Sequence, residues 1–170
     1  MPKSDEIPKS ILLVCLGNIC RSPTAEGIMR QRTAIAGLTL KIDSAGTGDW
    51  HIGEHPDSRA QSHAKQNGYN ISKLVARQVS PQDFLDFDLI LAMDAQNLKD
   101  LQAIRDVAAQ NVSSDKLGRL ALMSEVDISY LNQDVPDPYN GGADGFEEVI
   151  KRLESSVDAW IDTWINTWQH

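Results

Sequence analysis

A chain of 170 residues, 41% apolar and 24% charged, is long and apolar enough to bury a core without disulfide staples. Its 24 acidic against 16 basic residues give a formal charge of −8 and a pI near 4.9; no Lys/Arg stripe suits a nucleic-acid backbone, so no nucleic-acid partner is expected. The longest uninterrupted apolar run, residues 11–16, is far too short to cross a bilayer, and no membrane insertion is expected.

The opening MPKSDEIPKS carries acids and two prolines, which reads as a flexible arm over 1–9 rather than a signal peptide. A single domain over 10–170 follows. SILLVC (10–15) is a short apolar run closed by a glycine-containing loop, the pattern of a buried strand. Ser22 is placed to cap a helix, with Pro23 at its first position and a run to about Ala36 before Gly37. LKIDSAG (40–46) reads as a second strand, followed by a Gly/Pro-rich loop over 46–56; Asp57 then caps a helix that stops at Gly68. Ser80-Pro81-Gln82-Asp83 has the form of a short capped helix. FDLILAM (87–93) gives a third strand, Asp94 caps a helix to about Ala109, and RLALM (119–123) gives a fourth strand. The last 25 or so residues show one apolar face: Phe146, Val149, Ile150, Leu153, Val157, Trp160, Ile161, Trp164, Ile165 and Trp168. Alternating apolar strands and helices predict an α/β fold of three layers, a parallel four-stranded sheet flanked by helices on both faces. In such sheets ligands bind beyond the carboxyl ends of the strands.

The loop after the first strand lies there. Cys15 ends the strand, and Leu16, Gly17, Asn18, Ile19 and Cys20 can curl into a helix start, with Gly17 and Asn18 tolerating unusual backbone angles. Such a curl aims successive backbone N–H groups at one point, an anion nest on a helix N-terminus. Arg21 adds a planar fork that matches two phosphate oxygens, and its charge favours thiolate over thiol at Cys15. Ser22 can donate to that thiolate. Residues 15–22 thus combine a nucleophile with a phosphate cradle, and the chemistry that fits is phosphoryl transfer to sulfur, with Arg21 and the N–H ring supplying the electrostatics and no cofactor or metal required.

VCLGNICRSPTAE (14–26) closely resembles the phosphate-binding loop of the low-molecular-weight protein tyrosine phosphatases, and DSAGTGDWHIGEHPDSRA (43–60), LAMD (91–94) and VPDPYNGG (135–142) resemble the family's other landmarks in order. The resemblance implies hydrolysis of phosphotyrosine in proteins without a cofactor, with Cys15 as nucleophile, Arg21 as phosphate clamp and Asp137 as general acid. It implies that Asn18 shapes the loop by hydrogen bonding to Ser44, and that Cys20 traps oxidised Cys15 as a disulfide. Ile19, Trp50 and Tyr139 are expected to wall a deep substrate slot. Relatives that resemble arginine phosphatases carry threonine where this chain has Ile19, which favours phosphotyrosine. Asn140 stands where the mammalian pattern has a second tyrosine, so the chain looks closer to bacterial members.

Two other functions share parts of this pattern. Thioredoxin-coupled arsenate reductases of the same fold use further downstream cysteines, and none follows Cys20 here. A non-catalytic phospho-ligand binding module has no need of a reactive thiolate or of the acid in VPDPY. His51-Ile52-Gly53-Glu54-His55 matches the spacing of a zinc peptidase motif, but Gly53 and Pro56 argue against the helix it requires. Two cysteines in one loop suit a reducing compartment, so the expected localisation is cytoplasmic. The expected partners are phosphotyrosine proteins, a tyrosine kinase among them by extrapolation from the family. The Trp160/Trp164/Trp168 stripe reads as core packing, with a self-association patch near Trp168 as its alternative; the expected state is a monomer or weak homodimer.

Overall fold

The computed structural model describes residues 7–139 and 141–168. Four parallel strands, β1 (Ser10–Cys15), β2 (Lys41–Gly46), β3 (Leu89–Ala92) and β4 (Arg119–Leu122), form one sheet in the order β2-β1-β3-β4. Among the described residues five α-helices connect and cover them: α1 (Arg21–Ile35), α2 (Ser58–Gln66), α3 (Asp83–Asp86), α4 (Ala95–Ala108) and α5 (Ala143–Trp168).

The central strand dictates the layering. All six residues of β1 are buried, and alternate side chains leave the sheet on opposite faces. Ile11, Leu13 and Cys15 join the core shared with α1, α2 and α5, whereas Leu12 and Val14 join the core formed with α3 and α4. The predicted apolar face of α5 is buried from Phe146 through Trp164, and the Trp160 indole N–H donates to the Met123 carbonyl at 2.7 Å. The tryptophan stripe is therefore core as far as Trp164; the side chain of Trp168 lies outside the described residues.

Helix ends follow their local chemistry. Asp57 accepts from the backbone N–H of Arg59 and Ala60, and Asp94 from that of Asn97. Gly37 (φ 78°) and Gly68 (φ 92°) take the left-handed backbone after α1 and α2, where paired return hydrogen bonds close each helix. Three expectations need correction. The helix after the first strand begins at Arg21, preceded by Cys20 without a side-chain cap, so Ser22 is not its cap and Pro23 is its third residue. The N-terminal arm is also shorter than 1–9. Ile7 packs on the core, Lys9 N–H donates to Asp88 and the Lys9 carbonyl accepts from Lys41; residues 1–6 lie outside the described region. The third strand is confined to Leu89–Ala92, because Phe87 closes α3.

Candidate active site

In this strand order, β1 and β3 are neighbours whose following helices, α1 and α4, pack on opposite faces, which opens a crevice at their carboxyl ends. Cys15 ends β1 and Asp94 follows β3. Between them lies a cleft of ≈ 160 Å³ lined by Cys15, Leu16, Gly17, Ile19, Cys20 and Arg21, with Trp50, His51, Asp137 and Tyr139 around it.

The loop is shaped from behind. Asn18 adopts φ 57° and is almost fully buried, one of few residue types that tolerate this backbone. Its amide nitrogen donates to Ser22 Oγ (2.7 Å) and Ser44 Oγ (3.0 Å), and its oxygen accepts from Arg77 N–H (3.1 Å). Ser44 in turn donates to Glu26, which is itself paired with Arg30. Ser22 Oγ accepts from Asn18 and has Cys15 Sγ at 3.0 Å and the more distant Ala45 carbonyl at 3.4 Å as acceptors for its own proton; the Asn18 N–H reaches the same sulfur at 3.3 Å. The Ser22 hydroxyl and the Asn18 N–H thus converge on the sulfur. The amides of Gly17, Ile19 and Cys20 donate to no acceptor among the described residues, as an anion nest requires.

Arg21 is buried. One guanidinium nitrogen donates to Asp94 Oδ2 (2.6 Å) and to the Val135 carbonyl (3.0 Å), and the other stands 3.7 Å from Asp137 Oδ2. Burial works against its charge, but Cys15, Asp94 and Asp137 outweigh it and push its pKa above the ordinary arginine value. Cys20 shows the opposite effect on a thiol: burial first, then the nearby charges of Asp57, Cys15 and Asp137, push it up to about 12. At neutral pH Cys20 is a thiol.

Of the residues expected to bind phosphate, Leu16, Gly17, Ile19, Cys20 and Arg21 face the cleft. Asn18 and Ser22 stand behind it with Ser44, so of these two only the backbone can meet a phosphate. Ile19, Trp50 and Tyr139 all line the cleft, and Trp50 and Tyr139, 68% and 45% exposed, stand at its rim. The Trp50 ring lies over Gly48, where a Cβ would fall 2.0 Å from it. His51 and His55 do not share a helix: His51 pairs with Glu54, and His55 with the Leu74 carbonyl.

A sequence profile described as "Low molecular weight phosphotyrosine protein phosphatase" matches residues 10–168. The chain belongs to this family. It is 44% identical, over 86% of its length and 90% of the relative's, to a putative low molecular weight protein-tyrosine-phosphatase of Synechocystis. It is 38% identical to the human low molecular weight phosphotyrosine protein phosphatase, over 88% and 91% of the two chains. Among solved structures, a protein tyrosine phosphatase from Entamoeba histolytica superposes with a TM-score of 0.82 at 36% identity, covering 92% of this chain and 97% of the other. A Drosophila arginine phosphatase superposes with a TM-score of 0.78 at 33% identity, covering 89% and 95%.

This low molecular weight phosphatase carries functional geometry that sequence reading missed. Asp94 was legible as a helix cap, yet its second oxygen holds Arg21; LAMD was its only local signal. His51 lines the cleft with its ring 3.1 Å from where a Cβ on Gly17 would stand, and its place beside Trp50 was the available clue. Asn140, in the position of the mammalian tyrosine, lies outside the described residues.

Proposed function

We propose that this phosphatase hydrolyses phosphotyrosine in proteins through a cysteinyl-phosphate intermediate. The observation that carries the reading is the convergence at one cleft of Cys15 Sγ, held by Ser22 and Asn18, the Arg21 fork, and the Asp137 carboxylate. The Cys15 thiolate attacks phosphorus, an S–P bond forms, and the P–O bond to the tyrosine ring breaks. Asp137 gives its proton to the departing phenolate. Water then attacks phosphorus, Asp137 takes the water's proton, and the S–P bond breaks to regenerate thiolate and release phosphate. The free amides of 17, 19 and 20 and Arg21 hold the three equatorial oxygens throughout, so the electrostatic work falls to the protein itself.

Ile19 and the aromatic rim of Trp50 and Tyr139 favour an aryl phosphate over a guanidino phosphate, which separates this chain from its arginine phosphatase neighbour. Cys20, a buried thiol in the same cleft, is read as the partner of oxidised Cys15: peroxide converts the thiolate to a sulfenic acid, Cys20 displaces water, and a disulfide forms. The expected compartment is the cytoplasm and the expected partners are phosphotyrosine proteins.

The test is hydrolysis of p-nitrophenyl phosphate with EDTA present, in wild type, Cys15→Ser and Asp137→Ala. EDTA-resistant turnover that Cys15→Ser abolishes and Asp137→Ala lowers by about 10²–10⁴-fold is expected. Turnover that survives in Cys15→Ser would refute the mechanism.

A further inference from the structure

Asp137 must stay in register with Cys15, although it is half-exposed and 122 residues away in sequence. Upstream, its loop is fastened at Val135, whose N–H donates to the Met93 carbonyl and whose carbonyl accepts from Arg21. Pro136 and Pro138 flank Asp137 and have no N–H with which to fasten the segment further. Downstream, the tie runs to Arg59. Its Nη2 donates to the Tyr139 carbonyl at 2.9 Å, and its guanidinium lies 5.7 Å from the Tyr139 ring and 5.0 Å from that of Phe146. The Tyr139 N–H in turn donates to Asp137 Oδ1 at 3.1 Å.

The same Arg59 Nη2 also donates to Asp57 Oδ2 (3.1 Å), and Nε donates to Asp57 Oδ1 (3.2 Å). The Asp57 N–H donates to the carbonyl of Ile19 at 2.9 Å, within the phosphate loop. A continuous path therefore joins the nucleophile's loop to the acid's loop: Ile19, Asp57, Arg59, Tyr139, Asp137.

We propose that Arg59 is a positioning residue that holds the general acid in register with the phosphate loop. This rests on the reading of Asp137 as the acid. Lysine cannot replace it fully, because a single ammonium can stand in for Nη2 between Asp57 Oδ2 and the Tyr139 carbonyl but lacks the second, Nε bond that fixes the planar group on Asp57. A small misplacement of a proton donor is enough to lower the rate substantially.

The leaving group separates this role from a merely structural one. A p-nitrophenolate departs with little help from a proton, whereas a plain phenolate needs it. We would measure kcat/KM for phenyl phosphate and p-nitrophenyl phosphate in wild type, Arg59→Gln, Arg59→Lys, Asp137→Ala and the Arg59→Gln/Asp137→Ala double variant. Arg59→Gln is expected to lose about 10-fold with phenyl phosphate but only about 2-fold with p-nitrophenyl phosphate, with Arg59→Lys between it and wild type. In the Asp137→Ala background Arg59→Gln should add nothing, which also controls for a folding effect. Equal losses with both esters, or an undiminished loss in the Asp137→Ala background, would overturn the proposal. If Asp137→Ala itself failed to steepen the leaving-group dependence, the acid assignment would fall, and that outcome is read from the single variant alone.

Discussion

Asn18 offers a test of how the phosphate loop is held. Replacing it with glycine keeps the φ of 57° accessible but removes three hydrogen bonds, two buried ones to Ser22 and Ser44 and a part-buried one from Arg77 N–H. At ~0.5–1.5 kcal/mol each, the Gly variant should lose about 2–4 kcal/mol of stability. Replacing it with alanine removes the same bonds and also forces a Cβ into the left-handed region, for about 1–2 kcal/mol more. For a chain of this size each kcal/mol moves Tm by roughly 2–4 °C, so the Ala variant should melt about 2–8 °C below the Gly variant. Thermal melts by circular dichroism, with p-nitrophenyl phosphate turnover on the same samples, read both effects. Melting of Ala and Gly variants at one temperature would refute the backbone argument, and wild-type melting of both would show that the hydrogen-bonded network contributes nothing.

Gly46 is paired with Cys15, and a Cβ there would stand 2.7 Å from the Leu16 carbonyl oxygen and 3.1–3.2 Å from backbone atoms of Gly17 and Asn18. Because backbone cannot give way as a flexible side chain does, Gly46→Ala should shift the loop and lower kcat by about 10-fold or more while the protein stays folded; unchanged kinetics would show that the loop has slack. Cys20, raised from 9.0 to about 12 by burial, holds its proton more tightly folded than unfolded. Its contribution is thus present below pH 9 and lost as pH climbs toward 12, so Cys20→Ser should flatten the fall in Tm with pH over that range; parallel curves would contradict this. The same variant should turn over normally yet recover poorly after a peroxide pulse, and recovery equal to wild type would remove Cys20 from any protective role.

The sheet and the phosphate loop were legible because their signals are local: apolar runs of strand length, Asp57 and Asp94 as caps, Gly37 and Gly68 at the ends of helices. What escaped was long-range or two-sided. Ser22 followed by Pro23 has the form of a helix cap, but the helix starts one residue earlier, at Arg21, so Ser22 stands inside it and its hydroxyl faces the Cys15 sulfur. Asp94 divides its oxygens between Asn97, three residues on, and Arg21, 73 residues back; only the first partner follows from sequence spacing. Trp50 is aromatic in a glycine-rich loop, and nothing in that pattern tells that its ring lies over Gly48 at the rim. Prolines and charges around Lys9 read as a loose arm, whereas its backbone is fastened by the Asp88 carboxylate, just before β3, and by the N–H of Lys41, the first residue of β2.

The central claim is the covalent intermediate. In the most direct test, Asp137→Ala enzyme is mixed with p-nitrophenyl phosphate, whose leaving group departs without the acid while hydrolysis of the intermediate is slowed, then quenched within its first turnovers in alkaline denaturant and digested for mass spectrometry. The peptide that contains Cys15 should carry one phosphoryl group, absent from a Cys15→Ser/Asp137→Ala control. Turnover without any phosphorylated Cys15 peptide, or a phosphoryl group on another residue, would contradict it.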